Sequence, residues 1–214
     1  MPRATNPIPM TPMQTGLPAP PAAFPADAEP ARGGALPTAP SEAQCEQWWD
    51  RFGMPQHIRV HSRQVARVAC FLARAAIERG LPVCLDTVRA SALLHDLAKA
   101  YCIVHGGSHS QLGGAWAVAL TGNPLIAQGV THHVYWPFPV DVARHFTPLA
   151  VLYGDKRVAH ENIVPLTQRF DDLISRYGTT PELVERIHVT NRQGSEIEQD
   201  FARLLEIDLT CASF

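Results

Sequence analysis

The chain has 214 residues and a formal net charge of -2, enough length for one sizeable core and no basic footprint for a nucleic-acid polymer. No stretch approaches the roughly 18 consecutive apolar residues of a membrane span, and no polybasic segment offers a membrane anchor. Five cysteines (Cys45, Cys70, Cys84, Cys102 and Cys211) are widely spaced without a CxxC pair, which argues against a thiolate zinc site or a disulfide framework and suits a reducing cytoplasm.

Residues 1–40 contain eleven prolines and nine alanines, with only Arg3, Asp27, Glu29 and Arg32 charged. Prolines interrupt every apolar run that a signal peptide would need. This composition predicts a disordered tail, with a proline-rich partner-binding segment as the alternative. The folded domain is expected over 41–214. Ser41 and Gln44 have capping-box spacing and open a short helix through Trp48, Trp49 and Phe52, which Gly53 and Pro55 end. The paired tryptophans are expected to lock this helix onto the domain.

A long helix is predicted from Gln56 to Arg79, with Ile58, His61, Val65, Val68, Leu72 and Ala76 on one stripe. His61 therefore points inward, as a hydrogen-bonded core histidine or as a ligand. Gly80 and Pro82 stop the helix, and Asp86 is expected to cap the next one. That helix is predicted to run through SALLHDLAK, placing His95 and Asp96 behind Ala92, Leu93 and Leu94, with Lys99 one turn beyond His95. Tyr101–Gly107 reads as a loop. Ser108 or Ser110 then opens a small-residue helix, LGGAWAVAL, with His105 and His109 at its entrance.

Asn123 and Pro124 form a cap followed by a first-turn proline, starting a helix that ends at His132 and His133. VYWPFP forms an aromatic loop. Thr147 and Pro148 repeat the cap-and-proline start, and Asp155 shares a face with Val151 and Leu152. Lys156 and Arg157 form a basic pair, read as facing solvent or as a weaker candidate than Lys99 for meeting a bound anion. An amphipathic segment spans 160–177, and Thr180 and Pro181 open a last helical region to about Leu209, with a break at Gly194. No strand is predicted. The expected class is an all-α bundle.

His61, His95, Asp96 and Asp155 thus turn inward from three helices. Two imidazoles and two carboxylates suit a divalent ion such as Mn, Fe, Co, Ni or Mg better than a sulfur-loving one. His109 with His132, His133 or both could hold a second ion, Asp96 bridging the two. Adjacent helical residues point roughly 100° apart, so His132 and His133 should not contribute equally. His57 and His105 read as surface or outlying residues.

In order and helical placement, His61, His95–Asp96 and Asp155 resemble the HD superfamily of metal-dependent phosphohydrolases. ALLHDLAK, HSQLGGAWA, the histidine pair ending a helix and YGDKRV carry the likeness over residues 54–177. The resemblance implies an HD-domain helical bundle with one or two divalent metals. His61, His95, Asp96 and Asp155 would bind the first, and His109, His132 or His133 the second. It implies hydrolysis of a phosphoester or phosphoanhydride in a small nucleotide-like substrate by metal-activated water. Asp96 would act at the centre of catalysis, Lys99 would meet the phosphate, and His109 or His133 would move protons.

Departures narrow the likeness. VYWPFP stands where the cyclic di-guanylate phosphodiesterases have GYP, and Leu97, Ala98 and Lys99 replace the acidic pair of the guanosine tetraphosphate hydrolases. The chain is more similar to small stand-alone members, among them nucleotidases and symmetrical diadenosine-polyphosphate hydrolases. Two other classes stay open: a di-iron oxygenase of the same fold, and a non-catalytic scaffold using the tail, the Trp48–Trp49 helix and the VYWPF segment.

Overall fold

A computed structural model describes residues 38–210 and Phe214. Residues 1–37, where the disordered tail is expected, lie outside the described residues, as does Cys211. Helix α1 (Glu42–Arg51) starts at the predicted capping box: the Ser41 hydroxyl accepts from the Gln44 N–H, and the Gln44 side chain accepts from the Ser41 N–H. Trp49 is fully buried and its Nε1 donates to the Leu93 carbonyl at 3.0 Å. This bond pins α1 to α3 (Leu85–Leu94), as expected for a locking tryptophan.

The centre of the bundle is α2 (Gln56–Glu78), whose predicted stripe is buried along its length. It packs on α3 and on α7 (Phe146–Lys156). Helices α5 (His109–Thr121) and α6 (Pro124–His132) form a hairpin that leans on α3 and α7 through α6. Missing side chains set these distances. A Cβ on Gly129 would lie 2.0 Å from the Ser91 Oγ, and one on Gly154 3.0 Å from the Val65 carbonyl oxygen. The second approach brings α7 against α2 immediately before Asp155.

Several local expectations are corrected. Asp86 lies in the first turn of α3, pairs with Arg89 at 2.7 Å and does not cap it; Cys84 holds the cap position without a side-chain bond. The helix stops at Leu94, and tight i→i+3 bonds from the Leu97 and Lys99 N–H groups carry the chain through His95–Ala98. The predicted Tyr101–Gly107 loop is mostly helix α4 (Lys99–His105), ended by Gly106 at φ 78. Ser108 rather than Ser110 caps α5. Asn123 caps α6 as predicted, accepting from the Leu125 N–H at 3.0 Å. In α7 the cap position falls on His145, leaving Thr147 and Pro148 inside the first turn, where proline loses no helical bond.

After α7 comes a short antiparallel hairpin, β1 (Val158–Ala159) and β2 (Asn162–Ile163), where no strand is predicted. The amphipathic pattern becomes helical only from α8 (Leu166–Tyr177). Helix α9 (Pro181–Leu205) passes through Gly194 unbroken. One interior glycine costs about 1 kcal/mol, and packing of α9 on α8 offsets it. The fold is an all-α bundle with this hairpin appended. No described helix is long and apolar enough to cross a membrane.

Candidate metal centre

Five elements converge on one buried point. His61 comes from the apolar stripe of α2, His95 and Asp96 from the turn after α3, and Asp155 from α7, all 8% exposed or less. The His61 Nε2 lies 3.1 Å from the Asp155 Oδ1. The His95 Nε2 lies 3.4 Å from the Asp96 Oδ2 and 3.9 Å from the Asp155 Oδ1. From the other side, the Asp96 Oδ1 meets the Nε2 of His109 at 3.4 Å and that of His133 at 3.6 Å, and these two nitrogens are 3.1 Å apart. His109 opens α5 and His133 closes α6, so the hairpin brings both to one end.

Backbone carbonyls orient three of the four rings. His95 donates its Nδ1–H to the Ala92 carbonyl at 2.7 Å, His133 to Val130 at 2.7 Å, and His61 to His160 at 3.3 Å. In the neutral rings this leaves each Nε2 as a bare lone pair facing a carboxylate or another imidazole. The His95 Nε2 and the Asp96 Oδ1 are buried without any hydrogen-bond partner. Such orphans are costly unless something fills the space between them. Ligands about 2.0–2.2 Å from a shared ion stand on the order of 3.0–3.5 Å apart, the spacing most of these atoms keep. Both His61–His95–Asp96 and Asp96–His109–His133 are capable of coordinating a divalent metal ion. Asp155 joins the first set through its contacts with His61 and His95.

The charges agree with that reading. Burial pushes the Asp96 carboxyl up, but His95, His133 and Lys99 outweigh it and hold Asp96 well below the ordinary carboxylate range. Burial likewise opposes ionisation of Asp155, and Lys156, His61 and Arg169 overcome it. Burial lowers the His95 pKa, but Asp96 and Asp155 outweigh it and raise it. His109 goes the other way, down to about 4, through burial and the neighbouring His133. Burial also lowers His133.

No family model, curated protein or solved structure matches the chain. Its chemistry is therefore read from the site itself.

The histidine register that the sequence leaves open is decided by packing, and the basic pair turns inward rather than toward solvent. Of the twin histidines, His133 reaches Asp96, whereas His132 lies outside both ligand sets with its ring on Trp136 at 5.3 Å and Phe138 at 6.2 Å. His105 is exposed and stacks on Tyr101. Lys99 donates to the Asp96 Oδ2 at 2.7 Å, its side chain 39% exposed. Lys156 and Arg157 do not face solvent: both are buried. The Lys156 Nζ donates to the Asp155 Oδ2 at 2.7 Å and to the His133 carbonyl at 3.5 Å, touching both ligand sets. Arg157 bonds the Tyr153 hydroxyl and the carbonyls of Val164 and Leu209, tying the segment after α9 to the bundle.

Sequence reasoning also missed His160. It occupies the β1–β2 turn at φ 56, a left-handed conformation strained for a histidine. That turn aims its carbonyl at His61 and its ring at α8. No sequence signal marks it, because the turn is visible only once the two short strands pair.

Proposed function

We propose that this protein is a metal-dependent hydrolase of phosphoester or phosphoanhydride bonds, built on an HD-type helical domain and acting on a small nucleotide-like substrate. The observation that carries this reading is Asp96, which offers one carboxylate oxygen to each of two histidine sets while its Oδ1 has no hydrogen-bond partner. An arrangement of this kind suits two divalent ions bridged by one carboxylate better than it suits packing.

His61, His95, Asp96 and Asp155 would hold the inner ion, and Asp96, His109 and His133 the outer one. Such ions supply Lewis acidity toward phosphate oxygens and lower the pKa of a coordinated water. The chain supplies orientation and charge. Backbone carbonyls fix the tautomers of His61, His95 and His133, so those three Nε2 atoms are preset. Lys156 holds the Oδ2 of Asp155 and leaves Oδ1 toward His61. Lys99 stands at the wall of the adjoining cavity, where its ammonium offsets charge on an incoming phosphate.

The test is release of phosphate from nucleoside monophosphates, dinucleoside polyphosphates and generic phosphoesters with manganese, cobalt, magnesium, nickel or iron present. Turnover by the native protein and its loss in Asp96→Asn is the expected result. Release no greater than that of the variant, for every substrate and metal, rejects the proposal. Oxygen uptake with two retained irons would instead assign the centre to redox chemistry.

A further inference from the structure

A cavity of about 350 Å³ opens over His61 and Asp96. One wall is α2 and α4, through His57, Lys99 and Ile103; the other is α8, through Arg169, Arg176 and Tyr177. The α8 wall is not needed to bind metal. Arg169 and Arg176 are seven residues apart, two helical turns, so they stand on one face about 10 Å apart along the axis. Arg169 is the inner of the two and acts on the charge of Asp155.

Arg169 is only 8% exposed, and its Nε is buried without a partner. Its NH1 donates to the Asp172 Oδ2 at 3.2 Å. Arg176 is held from several sides although its side chain is 37% exposed. Its Nε lies 3.7 Å from the same Asp172 oxygen, its NH1 3.3 Å from the His160 Nε2, and its NH2 donates to the Tyr177 hydroxyl at 3.0 Å. The guanidinium also lies over the Tyr177 ring, 5.0 Å from the centroid. Ordering so rotamer-rich a side chain costs conformational entropy, which these contacts offset. Two guanidiniums carry ten N–H donors between them and share one carboxylate, Asp172. Glu161, the other acid at the rim, is exposed. Both arginines line the cavity that also holds His61 and Asp96.

Taking the hydrolase reading as its basis, we infer that the Arg169–Arg176 face of α8 is a second phosphate subsite, selecting substrates that carry a further phosphate beyond the scissile one. A planar guanidinium fork matches a phosphate bidentately, and its position along α8 suits a chain of phosphates extending away from the metal ligands. Tyr177 and His160 are positioning residues that hold Arg176 ready. A monophosphate, once seated on the metals, leaves this face without a ligand.

The test compares binding of orthophosphate and tripolyphosphate by calorimetry, with the metal-loaded protein and again with metal removed. The native protein should prefer tripolyphosphate, and Arg176→Gln should reduce that preference about 10–100-fold while leaving orthophosphate within about twofold. Arg176→Lys should recover only part of the loss, since it restores charge without the fork. In turnover, Arg176→Gln should raise KM for ADP and leave KM for AMP nearly unchanged. An equal loss for both anions, or none for either, overturns the subsite. Tricarballylate, bearing three carboxylates, should bind no better than orthophosphate; equality with tripolyphosphate overturns the phosphate assignment. Because Arg169→Gln empties a buried position and could unfold the helix, the decision rests on exposed Arg176. If the native protein releases phosphate from no substrate, the hydrolase reading fails, while the metal-free binding comparison still decides the subsite.

Discussion

The inner and outer ligand sets share Asp96 but are built differently. His61, His95 and Asp155 come from helix faces and a turn inside the core, and each is anchored by a carbonyl or by Lys156. His109 and His133 come from helix ends, where α5 begins and α6 stops. The Val130 carbonyl anchors His133, no such bond among the described residues anchors His109, and their Nε2 atoms face each other at 3.1 Å. The inner carboxylates draw a proton onto His95, whereas burial and His133 keep one off His109. A preformed inner set should hold its ion firmly, and the outer set should be the exchangeable one.

The largest expected effect comes from the shared residue. Asp96→Asn removes charge from both sets, so turnover should fall on the order of 100–1000-fold and metal content should drop from near two ions per chain to below one, by elemental analysis. If only one ion is lost and turnover survives, Asp96 is not the bridge.

Lys156→Met separates the sets by a different route. Breaking a buried ion pair on one side costs about 3–5 kcal/mol, and this one should appear in chemical denaturation of the metal-free protein. Added metal should restore much of that loss, because the cation replaces the ammonium beside Asp155. A loss unchanged by metal would mean that Lys156 acts through packing alone.

His109→Gln probes the outer set. The variant should keep one ion and lose the other. In metal-free native protein the unfolded histidine takes up a proton below about pH 6.5, while folded His109 stays neutral down to about 4. Stability is therefore lost as pH falls through that window, by up to about 3 kcal/mol, and the variant should show a flatter acid limb in thermal melts. His95, shifted upward, works in the opposite direction and remains in both proteins. Identical acid limbs would remove His109 from the buried, neutral state assigned to it.

The smallest effect is expected from deleting residues 1–40. If that segment is a tether, melting temperature, oligomeric state and turnover should all stay as in the full chain. A change in any of these would make it part of the working domain.

Much of the bundle was legible because its determinants are local. The Ser41–Gln44 box, the stripe of α2, the Asn123–Pro124 start and the Thr180–Pro181 start each depend on residues within a turn or two of one another. The inward direction of His61, His95, Asp96 and Asp155 followed from apolar neighbours, and all four are buried. Tertiary structure decided what periodicity leaves open. His133 rather than His132 meets Asp96 because packing on Trp136 and the Val130 carbonyl sets the rotation of the end of α6. Lys156 is buried because its counter-charge, Asp155, is beside it in the core, a pairing that composition cannot reveal. Arg169 and Arg176 share a cavity with His61 and Asp96 only because the chain after α7 turns through β1 and β2 and packs α8 against β1, α7 and α9, non-local contacts with no sequence period of their own.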